Sequence, residues 1–145
     1  MKFKGFFVLS IVLALIIVLL DFFAFKYFWY WRFYWFDKTM HFLAGFLITL
    51  TAIQLCSFFS KKPLTGWRLI FLSLLPTLAV GIFWEFFEFT TLRFYFSEVV
   101  LKDVGMLYGG WRDALRDIFF DVFGSLTASS LFIANLLIWK KIKAV

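Results

Sequence analysis

Carboxylates recur along this chain at helical spacing, each time inside or beside an apolar run. Asp37 and His41 lie four apart, and Glu85 and Glu88 lie three apart. Asp113, Asp117 and Asp121 step by four, with Gly124, Ser125 and Ala128 continuing the same side. Residues three or four apart share a helical face, so each group presents its side chains together. Carboxylates with a single imidazole make an oxygen-rich ligand set. It suits a divalent cation, Mg, Mn or Ca ahead of Zn, because His41 is the one histidine and Cys56 is remote from it. Such an ion lowers the pKa of bound water and clamps phosphate oxygens. In this scheme Glu85, Glu88, Asp113, Asp117 and Asp121 are ligands or bases, and His41 is a ligand or general acid. His41, Glu85 and Asp117 are the candidate catalytic groups. Asp37, Lys38, Arg112 and Arg116 are candidate binding groups, with Arg112 or Arg116 meeting a headgroup.

Plainer roles compete for these residues one by one. Asp37 fits a helix N-cap, with Lys38 snorkelling to the interface. His41 fits a hydrogen-bonded interfacial side chain. Arg112 and Arg116 fit interfacial anchors, and Asp21 fits a boundary residue. Glu98, Lys102 and Asp103 read as a solvated loop face, and the Trp and Phe runs as lipid-facing residues. The Glu pair and the Asp triplet resist such readings, because an acid in hydrocarbon costs about 2.5–3.5 kcal/mol on the insertion scale. Several together repel one another and need protons, cations or a metal. The cations at hand are Lys38, Arg112, Arg116 and Arg93.

The elements that must position these groups are membrane helices. The chain has 145 residues, of which 63% are hydrophobic, 25% aromatic and 17% charged, against roughly a quarter charged in a soluble domain. The mean hydropathy is +0.91. Apolar runs of about 18 residues or more read as spans, and four are present: 5–25, 39–59, 67–91 and 114–139. The expected fold is all-α, a four-helix transmembrane bundle forming a single domain. Its first connection, 26–36, is almost wholly aromatic and belongs at the headgroup level. Lys61 to Gly66 forms a polar turn marked by Pro63 and Gly66. The long third connection, Arg93 to Asp113, is expected to fold back on the membrane surface.

The net charge of +6 does not point to nucleic acid, because the basic residues flank apolar runs and no nucleic-acid-binding module is present. Cys56 is the single cysteine, so no internal disulfide forms. The start, Met1-Lys2-Phe3-Lys4, mimics a signal peptide, but the apolar run continues past Asp21 with no small-residue cleavage site. Lys2, Lys4, Lys61, Lys62, Arg68, Lys140, Lys141 and Lys143 share one side, and no acid lies there. The positive-inside rule then places both termini in the cytoplasm of a prokaryotic cell, with every acid toward the outer half.

Asp37-Lys38-Thr39-Met40-His41 resembles the Asp-Lys-x-x-His signature that opens a span in VanZ-like membrane proteins. Trp84-Glu85-Phe86-Phe87-Glu88, followed by Asp113, Asp117, Asp121 and Gly124, resembles the YjdF-like membrane proteins more closely. Asp121 stands where VanZ-like proteins tend to carry Asn. The resemblance covers about two-thirds of the chain. It implies a cell-envelope membrane protein and supplies site residues, but no reaction.

Three functions remain open. One is a metal-assisted enzyme acting on a membrane lipid or envelope precursor. Another is a carrier of protons or small cations, against which the inner half offers only Thr49, Thr51, Gln54 and Thr77 as a polar path. The third is a non-enzymatic lipid-binding or scaffold protein whose acids pair with Lys38, Arg112 and Arg116. Patterns of serine hydrolases, zinc proteases and phosphate-binding loops are absent. The sequence leaves the oligomeric state open.

Overall fold

A computed structural model describes residues 4–59, 67–95 and 111–143. All secondary structure in them is helical: α1 (Lys4–Tyr27), α2 (Trp29–Arg32), α3 (Tyr34–Phe59), α4 (Trp67–Tyr95) and α5 (Trp111–Lys143). Four of these are long and apolar enough to cross a bilayer: Gly5–Tyr27, Tyr34–Phe59, Trp67–Thr91 and Trp111–Ile138. The protein is thus an integral membrane protein of four transmembrane helices. The Lys61–Gly66 turn, with Glu98, Lys102, Asp103 and most of the third connection, lies outside the described residues.

Two helix starts differ from the sequence reading. The second span opens at Tyr34 and not at 39, and the fourth at Trp111 and not at 114. Most of the aromatic connection is therefore ordered backbone. Phe28 turns the chain in the left-handed region at φ 59°, and the single turn of α2 comes next. Phe36 is buried against Ala24 and Met40, with Trp29 and Tyr30 packed alongside. Trp29 and Tyr30 each meet the Phe36 ring nearly edge-on, at 5.5 and 5.1 Å. Ring packing of this kind draws Tyr34 to Phe36 into the helix.

The α3, α4 and α5 helices pack against one another, and α1 leans on α3. In its most apolar window α1 buries only 6% of its residues, against 33% for α5. The closest approach is between α3 and α5. A side chain at Gly45 would strike the backbone carbonyl of Asp121, and one at Gly124 would strike that of Phe42. Small residues at such crossings let membrane helices approach to backbone contact. The α3 and α5 helices start at the end of the bundle where α4 finishes, so residues early in α3 and α5 meet residues late in α4.

Away from that end the centre is polar. Thr49 Oγ1 donates to Ser125 Oγ at 2.6 Å and lies 3.1 Å from Thr77 Oγ1, and Ser129 Oγ donates to Ser73 Oγ at 2.9 Å. All five residues are buried. The expectation that the inner half holds only Thr49, Thr51, Gln54 and Thr77 is corrected: Ser73, Ser125 and Ser129 complete a hydroxyl ladder, while Thr51 faces outward and bonds Leu47 O on its own helix. Gln54 instead reaches α1, donating to Ser10 Oγ at 2.6 Å. Beyond the ladder Ile53, Leu69 and Phe132 close the interior with an apolar plug.

Candidate functional site

Lys38 is the hub of the acidic end. Its ammonium stands 2.9 Å from Asp37 Oδ2, 2.8 Å from Asp113 Oδ1 and 2.8 Å from Asp117 Oδ1. The first two are directed hydrogen bonds. The Asp117 contact is an equally short ion pair. Only 8% of the Lys38 side chain is exposed, so snorkelling is corrected: the flexible stem turns inward. Nor does Asp37 act as the N-cap. The helix begins three residues earlier, at Tyr34, and the Asp37 carboxylate is spent on Lys38.

His41 joins the three core helices. Its Nδ1 faces Asp121 Oδ2 at 3.4 Å. Its Nε2 faces Glu85 Oε1 at 3.6 Å and Asp37 Oδ1 at 3.8 Å. With its hydrogen on Nδ1, the ring donates to Asp121 and presents the Nε2 lone pair to Glu85. Both ring nitrogens face carboxylate oxygens, so the ring can donate to either side, and a cation bound at Nε2 would leave the hydrogen on Nδ1 toward Asp121, as behind many metal-ligating histidines. Asp121 keeps its place because of a residue the sequence reading missed. Gly81 sits so close to the Asp121 carboxylate that any side chain there would collide with Oδ2. The signal was present: Gly81 lies one turn before Glu85 on the same face of α4.

The ligand-capable atoms form two overlapping groups. One atom from each of Asp37, His41 and Asp117 lies within 4.8 Å of the others, and the same holds for His41, Glu85 and Glu88. Glu85 Oε1 is buried and has no hydrogen-bond partner, whereas Glu88 stands at the exposed rim. A buried carboxylate oxygen without a hydrogen bond is costly, and its neighbour His41 Nε2 stands at 3.6 Å, so this oxygen could take a cation shared with the imidazole. Asp113 is committed to Lys38, and Asp121 to the far side of the imidazole. Neither belongs to the two groups.

The other expected groups are placed apart. Arg112 lies over the Trp111 ring at 5.5 Å, and Arg116 donates to Tyr34 Oη at 2.5 Å. Both are exposed, and neither has a carboxylate partner among the described residues. Asp21 lies outside the cluster, accepting a 2.6 Å hydrogen bond from Tyr30 Oη. Burial and that bond push the Tyr30 phenol well above its ordinary pKa. The Arg93 side chain lies outside the described residues.

No curated protein and no solved structure matches the chain. Residues 1–137 match the family model described as "Predicted membrane protein (DUF2238)", and the chain, which folds as four apolar spanning helices around a buried Lys–His–carboxylate centre, belongs to that family.

Proposed function

We propose that the acidic end binds a divalent cation and that the loaded site acts on a membrane lipid or envelope precursor. The observation that carries this reading is the Glu85 Oε1 oxygen, buried, without a hydrogen-bond partner, and turned toward His41 Nε2. His41, Glu85 and Glu88 would hold the ion, with Asp37 and Asp117 within reach of the same imidazole. Mg, Mn, Ca or Zn would supply an acidified water and a clamp for phosphate oxygens. The chain's own groups have separable tasks. Asp121 orients His41, Lys38 gathers Asp37, Asp113 and Asp117, and Asp117 would serve as a buried base beside His41. The VanZ-like and YjdF-like resemblance accords with this reading, and the family match supports the coarser statement of a membrane protein family. By the distribution of Lys and Arg, this end faces outward from a prokaryotic cytoplasmic membrane, with both termini inside.

Elemental analysis of the protein purified in detergent tests the proposal. The expected result is a stoichiometric divalent ion, lost in Glu85→Gln and His41→Ala variants that keep their helical content. Ion-free protein whose unfolding temperature ignores added Mg, Mn, Ca and Zn overturns it.

The hydroxyl ladder favours a second reading, a carrier of protons or small cations, since Thr49, Thr77, Ser125, Ser73 and Ser129 lead inward from the level of Asp121. The plug of Ile53, Leu69 and Phe132 opposes it. Liposome flux decides: proton or cation uptake abolished by Glu85→Gln supports the carrier, and traces equal to empty liposomes remove it.

A further inference from the structure

An apolar groove of about 610 Å³ lies between α3 and α5, walled by Trp35, Phe42, Phe120 and Phe123, with Lys38 and Arg116 also on its lining. Its size falls within the range of about 300–1,000 Å³ typical of ligand pockets. The walls belong to two membrane spans, and Trp35 and Phe123 are 61% and 51% exposed, so the groove opens sideways to acyl chains. Its charge is unlike its walls. Tyr34 links the two cations: Arg116 donates to its hydroxyl, and Lys38 lies 5.4 Å from its ring centroid. Lys38 is satisfied by its carboxylates, but the Arg116 guanidinium has no acid among the described residues and has donors to spare. Guanidinium and phosphate match in geometry and charge.

We propose that this groove seats an anionic phospholipid of the surrounding bilayer, one acyl chain along Trp35, Phe42 and Phe123 and its phosphate on Arg116 beside Tyr34. The inference rests on the proposed function only for the fate of the bound lipid, because Lys38 lines the groove and pairs with Asp37 and Asp117, which lie beside the imidazole that would hold the ion. The occupancy of the groove itself does not depend on a metal. Lys38 brings no net positive charge to the seat, because Asp37, Asp113 and Asp117 surround it. A zwitterionic lipid carries a phosphate too, but its choline would lie beside the Arg116 guanidinium, so selectivity for the anionic headgroup rests on Arg116 and is the mark of a built seat.

The test uses the full chain in phosphatidylcholine vesicles doped with phosphatidylglycerol that carries a photoactivatable acyl chain, with cross-linked peptides mapped by mass spectrometry. Labelling concentrated on Trp35, Phe42 and Phe123, over the exposed apolar face of α1, is expected. It is expected to fall about tenfold in Arg116→Gln, the scale of one lost charge-assisted hydrogen bond, and when the probe is phosphatidylcholine. Phe123→Trp, which narrows the groove while keeping an apolar lipid face, is expected to lower labelling with helical content unchanged. Equal labelling of α1 and the groove, or labelling indifferent to Arg116→Gln and to headgroup, overturns the proposal. Metal content measured on the same samples separates the two readings. Groove labelling in ion-free protein leaves the lipid seat standing and removes the metal site, and an ion retained without groove labelling does the reverse.

Discussion

Asp121 Oδ2 and His41 Nδ1 face each other at 3.4 Å between α5 and α3, with 3% and 7% of their side chains exposed. This pairing puts Nδ1 toward Asp121 and Nε2 toward Glu85. Asp121→Asn keeps the shape and removes the charge behind the ring. Cation affinity measured by titration calorimetry is expected to drop about 10–100-fold, as for other lost partners of ligating histidines, with the unfolding temperature little changed.

Gly81→Ala reaches the same pair from α4. Its new methyl group would displace the Asp121 carboxylate, so it is expected to mimic Asp121→Asn in the calorimeter. Wild-type affinity in Gly81→Ala would show that the carboxylate position behind His41 is unimportant.

Lys38→Met removes the cation from among Asp37, Asp113 and Asp117. A loss of about 3–5 kcal/mol in stability is expected, the scale for stripping one partner from a buried ion pair. The added substitutions Asp113→Asn and Asp117→Asn are expected to recover much of it. Unfolding in detergent followed by tryptophan fluorescence checks both variants, and an Lys38→Met protein as stable as the wild type would deny Lys38 its central place.

Thr49→Val breaks the ladder at the hydroxyl that meets both Thr77 and Ser125. Interhelical hydroxyl bonds in membranes are worth about 0.6 kcal/mol on average and up to about 1.7 kcal/mol, so a small loss of stability is expected. If the ladder is only packing, proton flux in liposomes stays at its wild-type value. A change in flux would favour the carrier.

Phe28 holds a left-handed backbone at φ 59° and ψ 36° with its ring 58% exposed. Glycine takes that conformation without the Cβ clash, which costs about 1–2 kcal/mol. Phe28→Gly is therefore expected to leave stability unchanged or raise it, despite the lost ring contact with Trp31. A clear fall in unfolding temperature would mean that the ring stabilises the turn by more than the backbone conformation costs.

The spanning helices were legible because apolar length is a direct reading of bilayer thickness, and the acidic faces because spacing of three or four survives folding. The small face of Gly124, Ser125 and Ala128 likewise turned inward against α3. Lys38 was misjudged because its neighbour relation to Asp37 in sequence says nothing of where a four-carbon stem will turn, and its other partners lie 75 and 79 positions away. Ser73 and Ser129 each lie four residues from a member of the ladder, Thr77 and Ser125, so helical spacing applied to hydroxyls as it was to carboxylates would have found them. The aromatic connection hid a helix start, since Trp and Tyr suit both an interface and a packed turn, and only the Phe36 burial distinguishes these.

The reciprocal glycine contact between α3 and α5 has a mechanical outcome. Each helix is notched against the other's main chain, Gly45 on Asp121 and Gly124 on Phe42, so neither can slide or rotate without prying both notches open. Such a pair would move as one unit, with Lys38, His41, Asp117 and Asp121 in constant relation. Any widening of the centre would then fall to α4, the helix that bears Glu85 and Glu88 and carries Pro76 within its continuous run, and a tilt of that helix would carry those two glutamates toward or away from a stationary imidazole.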